Sequence, residues 1–187
     1  MHALAISRVD KAVARIVRFP EDLEGVDGLI IPGGESTTFT LLLDRTGLRD
    51  AVSDFIRSGR PVWGTCAGAI LLGKRLLGDD GSVKVNPLGA IDITVSRNAY
   101  GRQVDSFEAP ISIALNGNRR RQFTGVFIRA PRFSEPGPEV RVLASLSDEP
   151  VMAEQGNVII SSFHPELTGD DAVHRYFVSS ALSRKEV

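Results

Sequence analysis

Cys66 is the residue with the clearest potential for chemistry, because it is the only cysteine in the chain and small residues surround it. It stands in the pattern Gly64-Thr65-Cys66-Ala67-Gly68, after a short apolar run and before an apolar helical pattern. Glycines on both sides of a nucleophile suit a sharp strand-to-helix turn, which exposes the side chain and leaves backbone N–H groups free around it. A helix N-terminus also favours a thiolate. The alternative is a buried core cysteine, the commonest fate of a free thiol.

A base for this nucleophile is offered by His164, which follows an apolar run and precedes Pro165 and Glu166. A nucleophilic cysteine needs a base, and the base needs an acceptor on its other ring nitrogen. A turn through Pro165 can fold Glu166 back onto the imidazole. The alternative is a loop histidine beside a solvated glutamate. His2 and His174 are weaker candidates, because the first is terminal and the second lies on an amphipathic helical pattern.

The segment Pro32-Gly33-Gly34-Glu35-Ser36 ends another short apolar run. Two glycines allow a close backbone approach to a ligand. The N–H groups of Gly34 and Ala67 are therefore candidates for an oxyanion hole. The segment matches neither the P-loop pattern nor the dinucleotide-binding pattern. The alternative is a tight turn without a ligand.

Two arginines are candidates for binding a carboxylate in bidentate fashion. Arg97 opens the unusually polar stretch 97–108, and Arg129 lies in a Phe-Ile-Arg-Ala-Pro segment. The alternative for each is a surface ion pair. The run 119–121 consists of three arginines after a turn, and we interpret it as a solvated tip rather than a nucleic-acid patch.

The overall composition is that of a globular protein. The chain has 187 residues, of which 42% are hydrophobic, so we expect a single domain over 1–187. A net charge of −1 gives no electrostatic attraction to nucleic acid or to a membrane surface. The single cysteine suits a reducing cytoplasm. No apolar run approaches the roughly 18 residues needed to span a bilayer.

The order of the predicted elements favours an α/β fold. Strand and helix patterns alternate over the first 77 residues, with a strand over 13–19 and a helix from Cys66 to about Leu77. This alternation predicts a mostly parallel central sheet with helices on both faces. Beyond Gly78, strand patterns follow one another without helices, and a hairpin is predicted around Gly156. In the first half of the chain, Ser36 or Thr37 is predicted to cap the helix that follows the segment 32–36.

Taken together, these motifs resemble the class I, or triad, glutamine amidotransferases, and more closely the glutaminase subunits of pyridoxal 5′-phosphate synthase. Five segments match the pattern of that family in order: 32–38, 64–68, 97–108, 125–131 and 162–168. The match covers nearly the whole chain. The cysteine and His-Pro-Glu motifs are shared by many triad amidotransferases, whereas the other three segments are more specific to the vitamin B6 branch.

The resemblance implies a flavodoxin-like, three-layer domain that hydrolyses glutamine to glutamate and ammonia. It implies that the ammonia passes to a (β/α)8-barrel synthase partner, in a large hetero-oligomer that makes pyridoxal 5′-phosphate. Cys66 is then the nucleophile, and His164 with Glu166 completes the triad. The residues implied in glutamine binding are Gly34, Glu35, Ser36, Arg97, Ile128 and Arg129. We expect no metal and no cofactor.

The chain departs from the family pattern at its start. The family opens with an apolar strand ending in Leu-Gln-Gly and then a helix containing Glu-His, whereas this chain begins at Met1-His2, where that helix is already under way. We therefore expect the opening strand to be missing. The loop over 79–87 is longer than usual and is interpreted as a surface insertion. Two alternatives remain: a triad glutaminase that serves another synthase, and a non-catalytic regulatory subunit.

Overall fold

The computed structural model describes residues 1–78, 85–97, 106–115, 117 and 119–183. Within these residues the α-helices are His2–Ile6 (α1), Ser36–Thr46 (α2), Leu48–Arg57 (α3), Ala67–Leu72 (α4) and Ala172–Leu182 (α5). Short 3₁₀ helices lie at Pro20–Leu23 and Pro165–Leu167. The strands are Leu29–Ile31 (β1), Val62–Thr65 (β2), Gly73–Leu77 (β3), Ile91–Ser96 (β4), Ser106–Ile113 (β5), Arg121–Ile128 (β6), Arg132–Ser134 (β7), Arg141–Leu146 (β8), Glu149–Gln155 (β9) and Val158–Ser161 (β10).

The larger sheet has the strand order β1-β2-β10-β9-β8-β5-β6. β2 pairs in parallel with β1 on one side and with β10 on the other, and the remaining neighbours pair antiparallel. In this register Gly64 lies opposite both Ile31 and Ile160. The carboxyl ends of the three parallel strands therefore meet at one edge of the sheet. That edge receives the glycine loop after β1, Cys66 after β2 and His164 after β10.

The parallel strands are covered on both faces, as the α/β prediction requires. Val62 and Val158 point into a cluster that includes Phe55 of α3 and Leu71 of α4. Their neighbours Trp63 and Ile159 point to the other face, into a cluster that includes residues of α5. Alternate residues of β2 and β10 thus fill two cores, one on each side of the sheet. The α/β fold with helices on both faces is confirmed.

Pairing beyond the parallel strands follows from the short connections. β9 and β10 form the predicted hairpin around Gly156, with Val158 opposite Gln155. A short turn can join only antiparallel neighbours, whereas a parallel pair needs a crossover of a dozen or more residues. The antiparallel strands therefore extend the sheet beyond β10, and the last of them, β6, ends beside Cys66, because the carbonyl oxygen of Ile128 lies 3.8 Å from the thiol. A second sheet, β3-β4-β7, completes the described strands.

The predicted strand over 13–19 is wrong. Residues 13–18 form no strand, and Val13 and Ile16 are 96% and 64% exposed. Arg15 instead donates hydrogen bonds to the carbonyl oxygens of Asp22 and Glu24. An alternating pattern makes a strand only where a neighbouring strand accepts its backbone hydrogen bonds, and this segment has no such neighbour among the described residues.

The helix predicted from Cys66 to Leu77 is too long. α4 ends at Leu72, and the chain continues as β3 in parallel with β4. Arg75 donates to the side chains of Asp92 (2.6 Å) and Thr94 (2.8 Å), both on β4. These cross-strand contacts, together with β3–β4 backbone pairing, outweigh the helical pattern of the apolar run.

The 79–87 loop falls mostly outside the described residues. No helix in the described ranges is long and apolar enough to cross a bilayer.

The contact between α4 and β1 leaves no room for a side chain at residue 68. A methyl group added at Gly68 would lie 2.0 Å from the carbonyl oxygen of Ile31. We expect Gly68→Ala to lower the free energy of unfolding by about 2 kcal/mol, as overpacking typically does. The melting temperature should fall by roughly 4–8 °C for a chain of this size, measured by differential scanning calorimetry.

Gly169→Ala is the matched control, because a methyl group there meets no atom within 4 Å. Its melting temperature should stay within about 1 °C of the wild type, because an open surface position adds no clash. Equal melting temperatures for the two variants would show that α4 and β1 do not approach as closely as described.

Candidate active site

Cys66 occupies a backbone conformation that non-glycine residues rarely adopt. Its φ is 49° and its ψ is −104°, at the junction where β2 ends and α4 begins. A methyl group at Gly64 would lie 2.5 Å from the carbonyl carbon of Gly68, so neither glycine can be replaced without a shift. The backbone N–H of Cys66 donates to the carbonyl of Ser161 on β10 (2.8 Å). The turn predicted from the glycine spacing is therefore present, with a strained nucleophile position.

The thiol lies against the loop after β1 and the end of β6. Cys66 is 7% exposed, and its Sγ lies 3.8 Å from the carbonyl oxygen of Ile128, which accepts a weak hydrogen bond. A methyl group at Gly33 would lie 3.5 Å from Cβ of Cys66 and 2.5 Å from Cε1 of His164. Gly33 thus lies against both the cysteine and the histidine, and no side chain fits at this position without a shift. The double glycine is visible in the sequence, but only the structure shows that Gly33, in addition to the expected Gly34, lies at the site.

His164 and Glu166 form the predicted pair. The 3₁₀ helix Pro165–Leu167 turns the chain so that Nδ1 of His164 lies 2.8 Å from Oε1 of Glu166. The two side chains are 11% and 8% exposed. The backbone N–H of His164 donates to the carbonyl of Val126 on β6 (2.8 Å), which ties this loop to the strand that carries Ile128.

The electrostatics of the pair favour an imidazolium beside a carboxylate. Burial alone lowers the pKa of His164, but the Cys66 and Glu166 side chains outweigh it and raise this pKa to about 9. Burial alone raises the pKa of Glu166, but the hydrogen bond from His164 and the proximity of His2 bring it below its ordinary value. Nε2 of His164 has no hydrogen-bond partner within the described part of the chain. This nitrogen is therefore available for proton exchange with the thiol and a bound substrate.

Gly34 and Ala67, the two candidates for an oxyanion hole, directly follow Gly33 and Cys66 in the chain. Ala67 is the first residue of α4, so its N–H has no partner inside the helix. Gly34 has a φ of +156°, and a methyl group there would lie 2.8 Å from Cε2 of Phe39. Both positions therefore depend on a small or glycine residue next to the reactive edge of the sheet.

Glu35 caps α2, and the predicted cap at Ser36 or Thr37 is wrong. The Glu35 carboxylate accepts hydrogen bonds from the backbone N–H groups of Thr37 (3.1 Å) and Thr38 (2.7 Å) and from both threonine hydroxyls. These bonds lower its pKa to about 2. Ser36 is buried as the first residue of α2. The Glu35 side chain thus stabilises the N-terminus of α2, in addition to any contact with a ligand.

The two candidate arginines follow strands of neighbouring segments. Arg129 comes directly after β6, is exposed and has a φ of 43°. Arg97 follows Ser96, which pairs with Arg132 three residues beyond Arg129. The pairing of β4 with β7 thus brings the backbone next to Arg97 close to the segment that follows Arg129, although most of the 97–108 stretch lies outside the described residues. Sequence reasoning also set aside His2, which in the structure lies 3.3 Å from Glu166. Nothing local in the sequence signals this contact.

A cysteine at a strained strand-to-helix turn, with a histidine–glutamate pair from the adjacent parallel strand, defines a thiol hydrolase of the α/β type. A loop with two glycines follows the neighbouring strand β1 and packs against both side chains at Gly33. The sequence profile of the SNO glutamine amidotransferase family matches residues 1–183, and the chain belongs to this family.

Relatives and solved structures agree with the family. The chain is 52% identical over 163 residues to the pyridoxal 5′-phosphate synthase subunit PdxT of Fervidobacterium nodosum, covering 87% of this chain and 82% of that protein. It is 50% identical over 174 residues to the subunit of the same name from Deinococcus radiodurans, covering 92% and 87%. A crystal structure of a glutamine amidotransferase superposes with a TM-score of 0.85 at 45% identity, covering 96% and 92%.

The raised pKa of His164 makes stability depend on pH. A histidine whose pKa is raised to about 9 in the folded state stabilises that state fully below the unfolded value of 6.5. This contribution is lost as the pH rises through 9. We expect wild-type stability to fall between pH 6.5 and 9, and Glu166→Gln to flatten this decline, as measured by urea unfolding at several pH values.

Glu149→Gln is the control for a lost surface carboxylate, because Glu149 pairs with Arg132 at the surface. In this variant the free energy of unfolding should fall with pH as steeply as in the wild type. If the free energy of unfolding declined equally with pH in the wild type and in Glu166→Gln, the result would contradict a charged His164–Glu166 pair.

Proposed function

We propose that this chain is the glutaminase of a pyridoxal 5′-phosphate synthase. It acts as a single domain in the cytoplasm, hydrolyses L-glutamine to L-glutamate and ammonia, and passes the ammonia to a (β/α)8-barrel synthase subunit within a hetero-oligomer. The observation that carries the hydrolysis is the packing of Cys66 and the His164–Glu166 pair against Gly33. Membership of the family and the names of the relatives support the pathway.

The first half of the reaction forms a thioester. The Cys66 thiolate attacks the side-chain carboxamide carbon of glutamine, and the carbonyl π electrons move to oxygen. The N–H groups of Gly34 and Ala67 hold the resulting oxyanion. When the tetrahedral species collapses, the C–N bond breaks and His164 supplies the proton with which ammonia leaves.

The second half releases glutamate. His164 now takes a proton from water, whose oxygen attacks the thioester carbon, and the C–S bond breaks to regenerate the thiolate. Glu166 holds the imidazole through Nδ1–H, so that Nε2 remains the nitrogen that exchanges protons. A pKa of His164 well above 7 suits the first step, because the imidazolium is present when the leaving group needs a proton.

Glutamine is held by the residues around this edge. Arg97 and Arg129 are the candidates for the α-carboxylate, because a guanidinium binds a carboxylate with two parallel hydrogen bonds. The carbonyl of Ile128 already faces the thiol and can orient the substrate amide. Gly34, Glu35 and Ser36 complete the proposed binding site on the opposite side of Cys66.

Removal of the nucleophile gives the direct test of hydrolysis. We expect Cys66→Ala, assayed with the synthase subunit of the same organism, to reduce ammonia release from glutamine to background. The loss should be at least about 1,000-fold, because no other group can carry the acyl intermediate. Ammonia is measured by a coupled dehydrogenase assay, with wild type assayed both with and without the synthase.

The same assay separates the alternatives. Wild-type activity with an imidazole glycerol phosphate type of synthase, but not with the pyridoxal phosphate synthase, would assign the chain to another pathway. No ammonia from wild type with either partner would favour a non-catalytic regulatory subunit.

Substitution of Arg129 tests the proposed carboxylate contact. We expect Arg129→Lys to raise the KM for glutamine about ten-fold or more, because an ammonium cannot reproduce the bidentate contact. Arg120→Lys is the control, since Arg120 belongs to an exposed arginine run elsewhere on the surface. An unchanged KM in Arg129→Lys, measured with the synthase present, would exclude this contact.

A further inference from the structure

A second pair of histidines lies on the far side of the Glu166 carboxylate from His164. His2 is the first residue of α1, and His174 lies on α5. Nδ1 of His2 is 3.1 Å from Nε2 of His174, and Nε2 of His2 is 3.3 Å from Oε2 of Glu166. One imidazole therefore lies beside each oxygen of Glu166: His164 hydrogen-bonds to Oε1, whereas Oε2, although 3.3 Å from His2, has no hydrogen-bond partner among the described residues. The proposed mechanism uses only the one on His164.

The surroundings of the two rings favour one assignment of their protons. Nδ1 of His174 is buried without a hydrogen-bond partner in the described ranges. A buried ring nitrogen without a partner costs less free energy as an unprotonated acceptor than as an N–H donor. The proton of His174 is therefore assigned to Nε2, where it points to Nδ1 of His2. His2 must then carry its own proton on Nε2, which donates to the Thr65 hydroxyl, 3.1 Å away, and lies beside Oε2 of Glu166. The reverse arrangement would turn a lone pair of His2 toward a carboxylate.

Both imidazoles are neutral at pH 7. Burial is the largest influence on each: it lowers the pKa of His2 and contributes most to lowering that of His174 to about 4. The titratable groups that act on the pair from the surrounding elements are Glu166, His164, Asp171, Arg8 and the Met1 amino group. Of these, Glu166 raises both pKa values but does not overcome burial. A neutral donor orients the carboxylate without competing with the His164 cation for its charge.

Trp63 holds the planes of the two rings. Its indole is fully buried and meets His2 and His174 edge-on, at ring-centroid distances of 5.3 Å and 5.0 Å. Its Nε1–H donates to the hydroxyl of Ser161 (3.2 Å), which fixes the indole itself. The rotation of both imidazoles is therefore restricted by a residue of β2, the strand that ends in Thr65 beside Cys66.

We propose that His2 and His174 form a neutral imidazole relay that positions Glu166 from the side opposite His164. The chain of contacts runs from His174 to His2 by a hydrogen bond, from His2 to Glu166 by an electrostatic contact at 3.3 Å, and from Glu166 to His164 by a hydrogen bond. Both are positioning residues, since neither contacts the substrate. The proposal rests on the proposed glutaminase function for its kinetic consequences, but the arrangement itself can be tested without turnover.

The first test is ¹⁵N NMR of the histidine-labelled chain, whose spectrum is simple because there are three histidines. We expect His2 and His174 to be neutral at pH 7 with the proton on Nε2, and His164 to be protonated on both nitrogens. A cationic His2 or His174, or either one protonated on Nδ1 alone, would overturn the relay. Because this test needs no activity, it remains decisive even if the complex releases no ammonia and the proposed function fails.

The second test is kinetic and uses the complex with the synthase. We expect His2→Phe to lower kcat about 10–100-fold, as loss of an outer hydrogen-bond partner typically does, with less than a two-fold change in KM for glutamine. The acid limb of the kcat profile should move to higher pH, because loss of the donor raises the pKa of Glu166. His2→Gln keeps an N–H near the position of Nε2 and should restore most of kcat.

Ser7→Ala is the control for general effects on α1, since its hydroxyl bonds only locally to Leu4. An unchanged kcat in His2→Phe would overturn the proposal. So would an equal loss in His2→Phe and His2→Gln with the acid limb in place, because that result indicates a merely structural role. His174→Leu should add little to the loss in His2→Phe, and fully additive losses would contradict a single chain.

Discussion

The backbone contact between the start of α4 and the end of β1 is the constraint on which the candidate site depends. The hydrogen of Gly68 is all that fits between α4 and the Ile31 carbonyl. This contact sets the position of α4, and through it the strained φ of Cys66. It also brings the loop after β1 beside the site, where a methyl group at Gly33 would lie 2.5 Å from Cε1 of His164 and 3.5 Å from Cβ of Cys66. Two glycine contacts therefore determine how nucleophile, base and backbone donors meet.

The second organising feature is the burial of one carboxylate among histidines. Glu166 is nearly inaccessible, and burial alone would favour its neutral form. The hydrogen bond from His164 and the proximity of His2 reverse this effect and keep its pKa low. The three histidines respond differently to similar burial: the pKa of His164 rises, whereas those of His2 and His174 fall. The difference arises because the Cys66 and Glu166 side chains both favour the charged form of His164, whereas burial outweighs the effect of Glu166 on His2 and His174.

Those parts of the site that depend on local sequence were predictable. The Gly64–Gly68 spacing indicates the turn at Cys66, and Pro165 indicates the turn that returns Glu166 to His164. Long-range contacts were not predictable in this way, because the relay joins His2 to Thr65 and His174 across 63 and 172 residues. The cap of α2 was misplaced because serine and threonine are stronger N-cap residues in general than glutamate. The strand over 13–19 failed because alternation alone does not show whether a neighbouring strand exists.

The central claim is that Cys66 is the nucleophile that attacks the glutamine side chain. The most direct measurement is covalent labelling by a chloroketone analogue of glutamine, carried out with the synthase present and read by mass spectrometry of the digested chain. The account predicts one label per chain, located on Cys66, and protection by excess glutamine. An active complex that is labelled elsewhere, or that is labelled on Cys66 without protection by glutamine, would contradict it.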